Sequence, residues 1–348
     1  MSHTFYSHHC IIPPDILRNV AENGDEKQRE WAYKTIEESA QMRGQRAVMG
    51  LVAVAAAVPA GTKRRTIYDA NHKTALPGKL VRGEGDPKNK DRAVNEAYDG
   101  AGKTYDFFLK VLERNSIDDR GLRLDSTVHY DVAYNNAFWN GSQMVYGDGD
   151  GKIFNGFTGC LDVIGHELTH GVTQYEAGLV YRNQPGALNE SMSDIFGSLV
   201  KQYAKKQTAD KADWLIGQGL LAKGIKGVAL RSMKAPGTAY DDPLIGKDPQ
   251  PDHMKNFVNT PRDNGGVHIN SGIPNKAFYE TAIRLGGKAW EKAGRIWYIT
   301  LRDRLRPMSQ FQDCANLTLA VAKELYGATS TEAKAVQEGW DAVGIKAV

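Results

Sequence analysis

Cysteine is scarce in this chain: three in 348 residues, at Cys10, Cys160 and Cys314. An odd and small number excludes a disulfide scaffold. Net charge is nearly absent as well. Lys and Arg number 44 against 41 Asp and Glu, a formal +3, which gives no basis for a nucleic-acid or membrane-surface partner. Internal repeats and low-complexity linkers are missing. Residues 1–30 hold no apolar stretch of the secretory-signal type, so any export is expected by a non-standard route, with cytoplasmic residence as the alternative. One apolar run does occur, Met49–Pro59, after Arg43 and Arg46. It lies too deep for an ordinary signal and is too short to span a bilayer. A buried strand or a processing junction is the better reading, with a signal or membrane role as the lesser one.

What is present is globular. Hydrophobic residues make up 41% and charged ones 24%, and the length predicts two or more structural units. Residues 1–58 read as a separate helical block: a short helix over Asp15–Glu22 ended by Asn23-Gly24, then an amphipathic helix over Asp25–Met42 with Trp31, Tyr33 and Ile36 at apolar positions. Residues 59–186 are β-rich, with strands predicted at RTIYDA (from Arg65) and at Thr127–Tyr134, and one helix over Ala97–Arg114. Residues 187–348 are helical, over Leu188–Lys205, Pro274–Leu285, Ala289–Leu305, Ser309–Tyr326 and Thr331–Val343. The fold class is α+β.

The chemistry begins at residue 166. His166-Glu167-Leu168-Thr169-His170 lies within a predicted helix, Asp162–Tyr175. Residues four apart share a helix face, so both imidazoles can reach one metal ion, with Glu167 beside it as a base. Two histidines on a solvated face are the alternative at this point. Catalytic zinc usually takes three protein ligands and keeps one open position. Glu190 is the candidate third ligand, and Asp194, one turn on, is placed to orient a ligand imidazole or is an ordinary exposed carboxylate. Gly178 and the Pro185-Gly186 pair are expected to supply the reversal between the two helices. His268 stands in a Gly-rich stretch, Asp263–Gly272, read as a tight loop; it suits an oxyanion donor whose tautomer Asp263 holds, though a loop histidine is more often without function.

Several ordered motifs together resemble the thermolysin family of zinc neutral endopeptidases, and especially its protealysin-like branch with a short propeptide. They are NNAFWNGSQMVYGDGDG from Asn135, DVIGHELTHGVTQYEAGLVY from Asp162, NESMSDIFG from Asn189, LRSM from Leu230 and DNGGVHINSGIPNKAFY from Asp263. The resemblance spans about Arg65–Val348, and Cys10-Ile11-Ile12-Pro13-Pro14 looks like part of the compact propeptide. It implies a two-lobed zincin fold with both lobes meeting at the zinc helix. It implies one zinc ion on His166, His170 and Glu190, and a zinc-bound water activated by Glu167, which later carries the proton to the leaving amine. It implies oxyanion stabilisation by Tyr181 and His268, Asp263 orienting His268, and support of the ligands by Asp194 and Asn189. Asn136 and Ala137 would bind substrate as an added strand, and Arg231 would grip a substrate carbonyl. Phe154, Val163, Ile216 and Leu230 would line an apolar pocket for the residue after the scissile bond. The expected partners are protein and peptide substrates and the chain's own propeptide as inhibitor; the expected state is a monomer.

Departures are informative. Asp162 and Asp213 match positions of the family's double calcium site, but Lys201, Leu215 and Gln218 stand where carboxylates are common. Two hard dications each want six to eight oxygens, so the calcium pair is expected to be absent, with a single weak calcium elsewhere left open. Asp148-Gly149-Asp150-Gly151 reads as a β-hairpin turn rather than an ion site. Removal of the propeptide is expected between Gly50 and Arg65. Cys10 is either a thiolate switch on zinc's open position or part of an apolar anchor; Cys160 and Cys314 read as buried small hydrophobes. Two other functions fit less well: a zinc-holding module that does not cut, and a hydrolase of esters or small amides.

Overall fold

The computed structural model describes the backbone of residues 9–49 and 58–348, with side chains for 10–39 and 58–348. In chain order the elements are β1 (His9–Cys10), α1 (Pro14–Asn23), α2 (Glu26–Met49), β2 (Arg65–Asp69), β3 (Lys79–Arg82), α3 (Arg92–Leu112), β4 (Leu124–Val128), β5 (Ala137–Trp139), β6 (Met144–Tyr146), α4 (Leu161–Tyr175), α5 (Asn183–Lys205), β7 (Leu215–Ile216), β8 (Arg231–Ser232), α6 (Asp263–Asn270), α7 (Gly272–Leu285), α8 (Ala293–Ile299), α9 (Phe311–Tyr326) and α10 (Thr331–Asp341). The main sheet has the order β1-β5-β6-β4-β2-β3. Its middle strands β2, β4 and β6 run parallel, and β5 is antiparallel to β6. The N-terminal block contributes its outermost strand: β1 pairs antiparallel with β5, Cys10 opposite Phe138.

A β-rich lobe and a helical lobe meet along α4 and α5. Two glycines set that contact. A Cβ on Gly165 would come within 3.0 Å of the Gly197 Cα, and one on Gly197 within 2.4 Å of the Asp162 carbonyl oxygen. The backbones therefore lie closer than any larger residue permits. Around this seam one apolar core runs from α3 (Phe107, Phe108) through α4 (Val163, Leu168) and α5 (Phe196, Leu199) to α7 and α8 (Phe278, Trp297).

Several expectations need correction. The predicted strand at Thr127–Tyr134 stops at Val128, because His129, Asp131 and Ala133 take left-handed backbone angles. Its aromatic residues were a packing signal instead: Tyr130, Tyr134 and Phe138 meet edge to face. Pro185-Gly186 lies inside the first turn of α5, where proline costs little, and the reversal falls earlier, around Gly178 and Asn183. The expected division between residues 186 and 187 thus falls within a helix. Asp148–Gly151 is not a hairpin turn: Asp150 Oδ1 accepts from the N–H groups of Lys152, Ile153 and Phe154, and the chain passes to a single bridge between Phe154 and Leu221. Tyr33 on α2 is exposed rather than apolar-face. Gly24 does cap α1, as expected, in an extended conformation. Most of Met49–Pro59, and much of the stretch expected to be cut, lies outside the described residues. Val58 is already tied to the β-rich lobe, its N–H on the Arg120 carbonyl and its carbonyl on Asn115 Nδ2.

Candidate metal centre and cleft

Helical spacing puts His166 and His170 on one face of α4, both fully buried. Their Nε2 atoms lie 3.0 Å apart. On α5, the Glu190 oxygens stand 3.5 Å from His166 Nε2 and 3.4 Å from His170 Nε2. The far nitrogens are committed. His166 Nδ1 donates to Asp194 Oδ1 and His170 Nδ1 to Asn189 Oδ1, each at 2.8 Å, with Ser193 Oγ also 2.9 Å from the latter. A carboxylate or amide oxygen only accepts, so both protons sit on Nδ1 and both Nε2 lone pairs face one point. Glu190 Oε2 is buried without a hydrogen-bond partner. Two lone pairs and a carboxylate oxygen without a hydrogen-bond partner converge in the core, a costly arrangement unless a cation binds there. The set fits zinc: two imidazoles and a carboxylate, each imidazole held from behind.

Around it stand the other residues of the motifs. Glu167 Oε2 accepts the Trp139 N–H at 3.1 Å, so strand β5 fixes the carboxylate beside the histidines. The Tyr181 hydroxyl donates to Glu190 Oε1 and lies 3.1 Å from His268 Nε2. Burial, with the Glu190 carboxylate, keeps that phenol well above its usual pKa. Asp263 Oδ1 is 2.6 Å from His268 Nδ1, and its Oδ2 takes the His268 N–H. Burial lowers the His268 pKa, but the Asp263 and Glu190 carboxylates outweigh it and raise it to about 9. His268 is on the helical part of α6, not in a loop; left-handed Asn264, Gly265 and Gly266 make the tight turn ahead of it. Arg231 Nε and Nη2 form a fork on the two Asp194 oxygens, each 2.8 Å. Burial raises the Asp194 carboxyl, yet Arg231 and His166 hold it well below the usual carboxylate range.

The N-terminal block occupies the cleft. Ile11 N–H donates to the Ala137 carbonyl at 3.3 Å and Ile12 N–H to Asn136 Oδ1 at 3.1 Å. The Cys10 carbonyl oxygen is 3.0 Å from His268 Nε2, and the Ile11 carbonyl 3.1 Å from Arg231 Nη1. Ile11, fully buried, enters the same core cluster as Phe154, Val163, Ile216 and Leu230, all of them buried. These contacts bring His166, Glu167, His170, Tyr181, Asn189, Glu190, Asp194, Arg231, Asp263 and His268 together, with Asn136 and Ala137 along the strand that faces them. Residues 58–174 match the thermolysin metallopeptidase catalytic domain, and residues 177–345 its alpha-helical domain.

The chain belongs to the thermolysin metallopeptidase family. It is 55% identical to an extracellular metalloprotease of Pectobacterium carotovorum subsp. carotovorum, over 97% of this chain and 96% of the relative. A thermolysin of Alicyclobacillus acidocaldarius subsp. acidocaldarius is 45% identical over 80% of this chain and 50% of that protein. Among solved structures, the precursor of protealysin, a metalloproteinase from Serratia proteamaculans, aligns with a TM-score of 0.88 and 55% identity, over 97% of this chain and 99% of that one. The chain is therefore a zinc metalloendopeptidase of the protealysin-like branch, in precursor form.

Four contributors escaped the sequence reading. Ser193 touches His170, Asn275 Nδ2 donates to Asp194 Oδ2, Gln250 Nε2 holds the His268 carbonyl, and the Trp139 N–H orients Glu167. Ser193 lay three residues past Glu190 and so on the same helix face; the other three meet the site only through long-range packing. At Asp162 and Asp213, where the resemblance had pointed to a calcium pair, the Lys201 ammonium lies 2.9 Å from Asp162 Oδ2, 2.8 Å from Asp213 Oδ1 and 2.6 Å from the Leu215 carbonyl.

Proposed function

We propose that the protein is made latent and, once residues 1–58 are displaced, cuts peptide chains on the N-terminal side of apolar residues. One observation carries this: residues 10–12 lie along β5 as an added strand, carbonyls on His268 and Arg231 and N–H groups on Ala137 and Asn136. Main-chain pairing of this kind suits a polypeptide rather than a small ester. We take the Cys10 carbonyl on His268 as the stand-in for a scissile carbonyl, so that the next residue, here the buried Ile11, would enter the apolar core that also holds Phe154, Val163, Ile216 and Leu230. An apolar residue is then preferred there.

Zinc held by His166, His170 and Glu190 would lower the pKa of water towards 7 and polarise the carbonyl. Glu167 takes the proton of the attacking water on its carboxylate and returns it to the leaving amine. His268 Nε2–H faces the oxygen on which charge develops, and the Tyr181 hydroxyl, here donated to Glu190, would turn to it once zinc holds that carboxylate; one such donor is worth about 3–4 kcal/mol. Asn189 and Asp194 keep the ligand imidazoles in the correct tautomer, and Asp263 orients His268. The same contacts account for latency, since the cleft is filled by the chain's own strand. Cys10 pairs with Phe138 on that strand, and its side chain joins the apolar cluster of Tyr130, Tyr134 and Phe138, which suits the apolar-anchor reading; a thiolate on zinc's open position would be a further lock. Lys201 takes the place of the calcium pair with a fixed internal cation. Release from the cell is supported by the name of the Pectobacterium relative; among the described residues no helix is long and apolar enough to cross a membrane.

Casein hydrolysis by the processed protein, with zinc content measured in parallel, tests this. Activity should vanish on chelation, return with zinc, and be absent in Glu167→Ala that still binds zinc. Equal inactivity of processed, zinc-loaded wild type and Glu167→Ala would overturn it.

A further inference from the structure

A second cluster of metal-ligating side chains lies outside the catalytic centre, at one edge of the main sheet. Strands β2, β4 and β6 are parallel neighbours, so their carboxyl ends emerge side by side. His72 follows the end of β2, His129 the end of β4 and Asp148 the end of β6. We propose that His72, His129 and Asp148 form a second site for a divalent transition ion of the zinc class. It is independent of the catalytic reading.

The backbone holds the cluster together before any ion is considered. His72 N–H donates to the His129 carbonyl at 2.9 Å, and Tyr130 N–H to the Tyr146 carbonyl at 3.1 Å, which ties all three loops together. His129 Nδ1 lies 2.9 Å from both Asp148 oxygens, and His72 Nδ1 lies 3.6 Å from Asp148 Oδ2. One donor atom from each of the three residues falls within 4.8 Å of the others. A tetrahedral ion with bonds of about 2.0–2.1 Å spaces its donors at roughly 3.3 Å. The 2.9 and 3.6 Å separations of Asp148 from the two histidines bracket that spacing.

A fourth residue supplies the orientation a ligand imidazole needs. Asp91 Oδ2 is 2.9 Å from His129 Nε2. A carboxylate accepts only, so Nε2 keeps its proton on Asp91, and Nδ1, which faces Asp148, is the nitrogen left for an ion. Asp194 treats His166 in the same way at the catalytic centre. Asp91 is itself fixed, its Oδ1 capping α3 through the N–H groups of Ala93 and Val94. His129 is mostly buried while His72 is exposed, which leaves a water-accessible side for a fourth ligand. Two imidazoles with one carboxylate select zinc, nickel or copper over calcium and magnesium.

The ion would have a route to the substrate strand. Gly147 N–H, adjoining Asp148, donates to the Asn136 carbonyl at 3.0 Å. Asn136 Oδ1 is the acceptor of Ile12 N–H. Both His129 ring nitrogens face carboxylates, Nε2 on Asp91 and Nδ1 on Asp148, so a metal taking Nδ1 must displace a proton. It therefore binds more weakly as pH falls.

Equilibrium dialysis of the full chain against micromolar zinc at pH ~8, with metal content and thermal midpoint both measured, decides this. Wild type should hold two zinc ions. His72→Ala, which removes an exposed side chain, and His129→Gln should each hold one, with second-site affinity down at least about tenfold. The midpoint of wild type should rise between one and two equivalents and that of His72→Ala should not. One zinc in wild type overturns the proposal. So do two in both variants with unchanged affinity, which would place the second ion elsewhere.

Discussion

His268 Nε2 lies 3.0 Å from the carbonyl oxygen of Cys10. The ring's other nitrogen rests on Asp263, so both nitrogens face acceptors. The oxyanion donor of the cleft is thus occupied by a main-chain carbonyl of the N-terminal block. Under the proposed function, latency comes from a strand in the substrate's place rather than from a distorted centre.

The first prediction concerns that strand. Ile11 and Ile12 are fully buried, and each side chain contributes about 1.5–3 kcal/mol by leaving water. Replacing both with Asp should release the strand from β5. The intact precursor, verified by mass spectrometry, should then hydrolyse a short peptide at least about tenfold faster than wild type. An unchanged rate would mean that another part of residues 1–58 maintains latency.

Lys201 carries the second. Its ammonium bridges Asp162 and Asp213, and Asp162 is buried. Lys201→Met leaves a buried carboxylate uncompensated and should lower stability by about 3–5 kcal/mol in denaturant titration. Calcium chelation should not shift the wild-type midpoint. The sign with pH follows from the raised pKa. Burial lowers it, and the two aspartates more than reverse that, to above the usual 10.5. The contribution is fully present below the unfolded value and is lost as pH rises through the folded one. The difference between wild type and Lys201→Met should hence stay flat from about pH 6 to 10.

Asp194 supports the third. It holds His166 Nδ1, both arms of the Arg231 fork and Asn275. Asp194→Asn removes the charge that Arg231 and His166 share. Zinc affinity, read by competition with a chromophoric chelator, should fall about 10–100-fold. Asn275→Ala, which removes only one contact, should fall less.

Much of the centre was legible because helix periodicity is local. His166 and His170, then Glu190 and Asp194, needed only four-residue spacing. Lys201 stood out only through the family resemblance, which supplied the positions where carboxylates are common. The pairing of β1 with β5 was not, since two residues form it across more than a hundred positions of chain. Asp148 was read as part of a turn, while its partner His129 was read as part of a strand. Their pairing depends on three parallel strands ending together, which no local pattern encodes. Pro185-Gly186 misled for a similar reason: both residues favour turns, yet a first helical turn accepts them.

The most direct test is cleavage mapping by mass spectrometry. An unfolded protein of known sequence is digested with processed, zinc-loaded wild type and with Glu167→Ala. Wild type should cut on the N-terminal side of Leu, Ile, Val and Phe, and Glu167→Ala should leave the chain intact. Cuts without that apolar preference, or the same cuts by Glu167→Ala, would contradict both the pocket and the base assigned to this cleft.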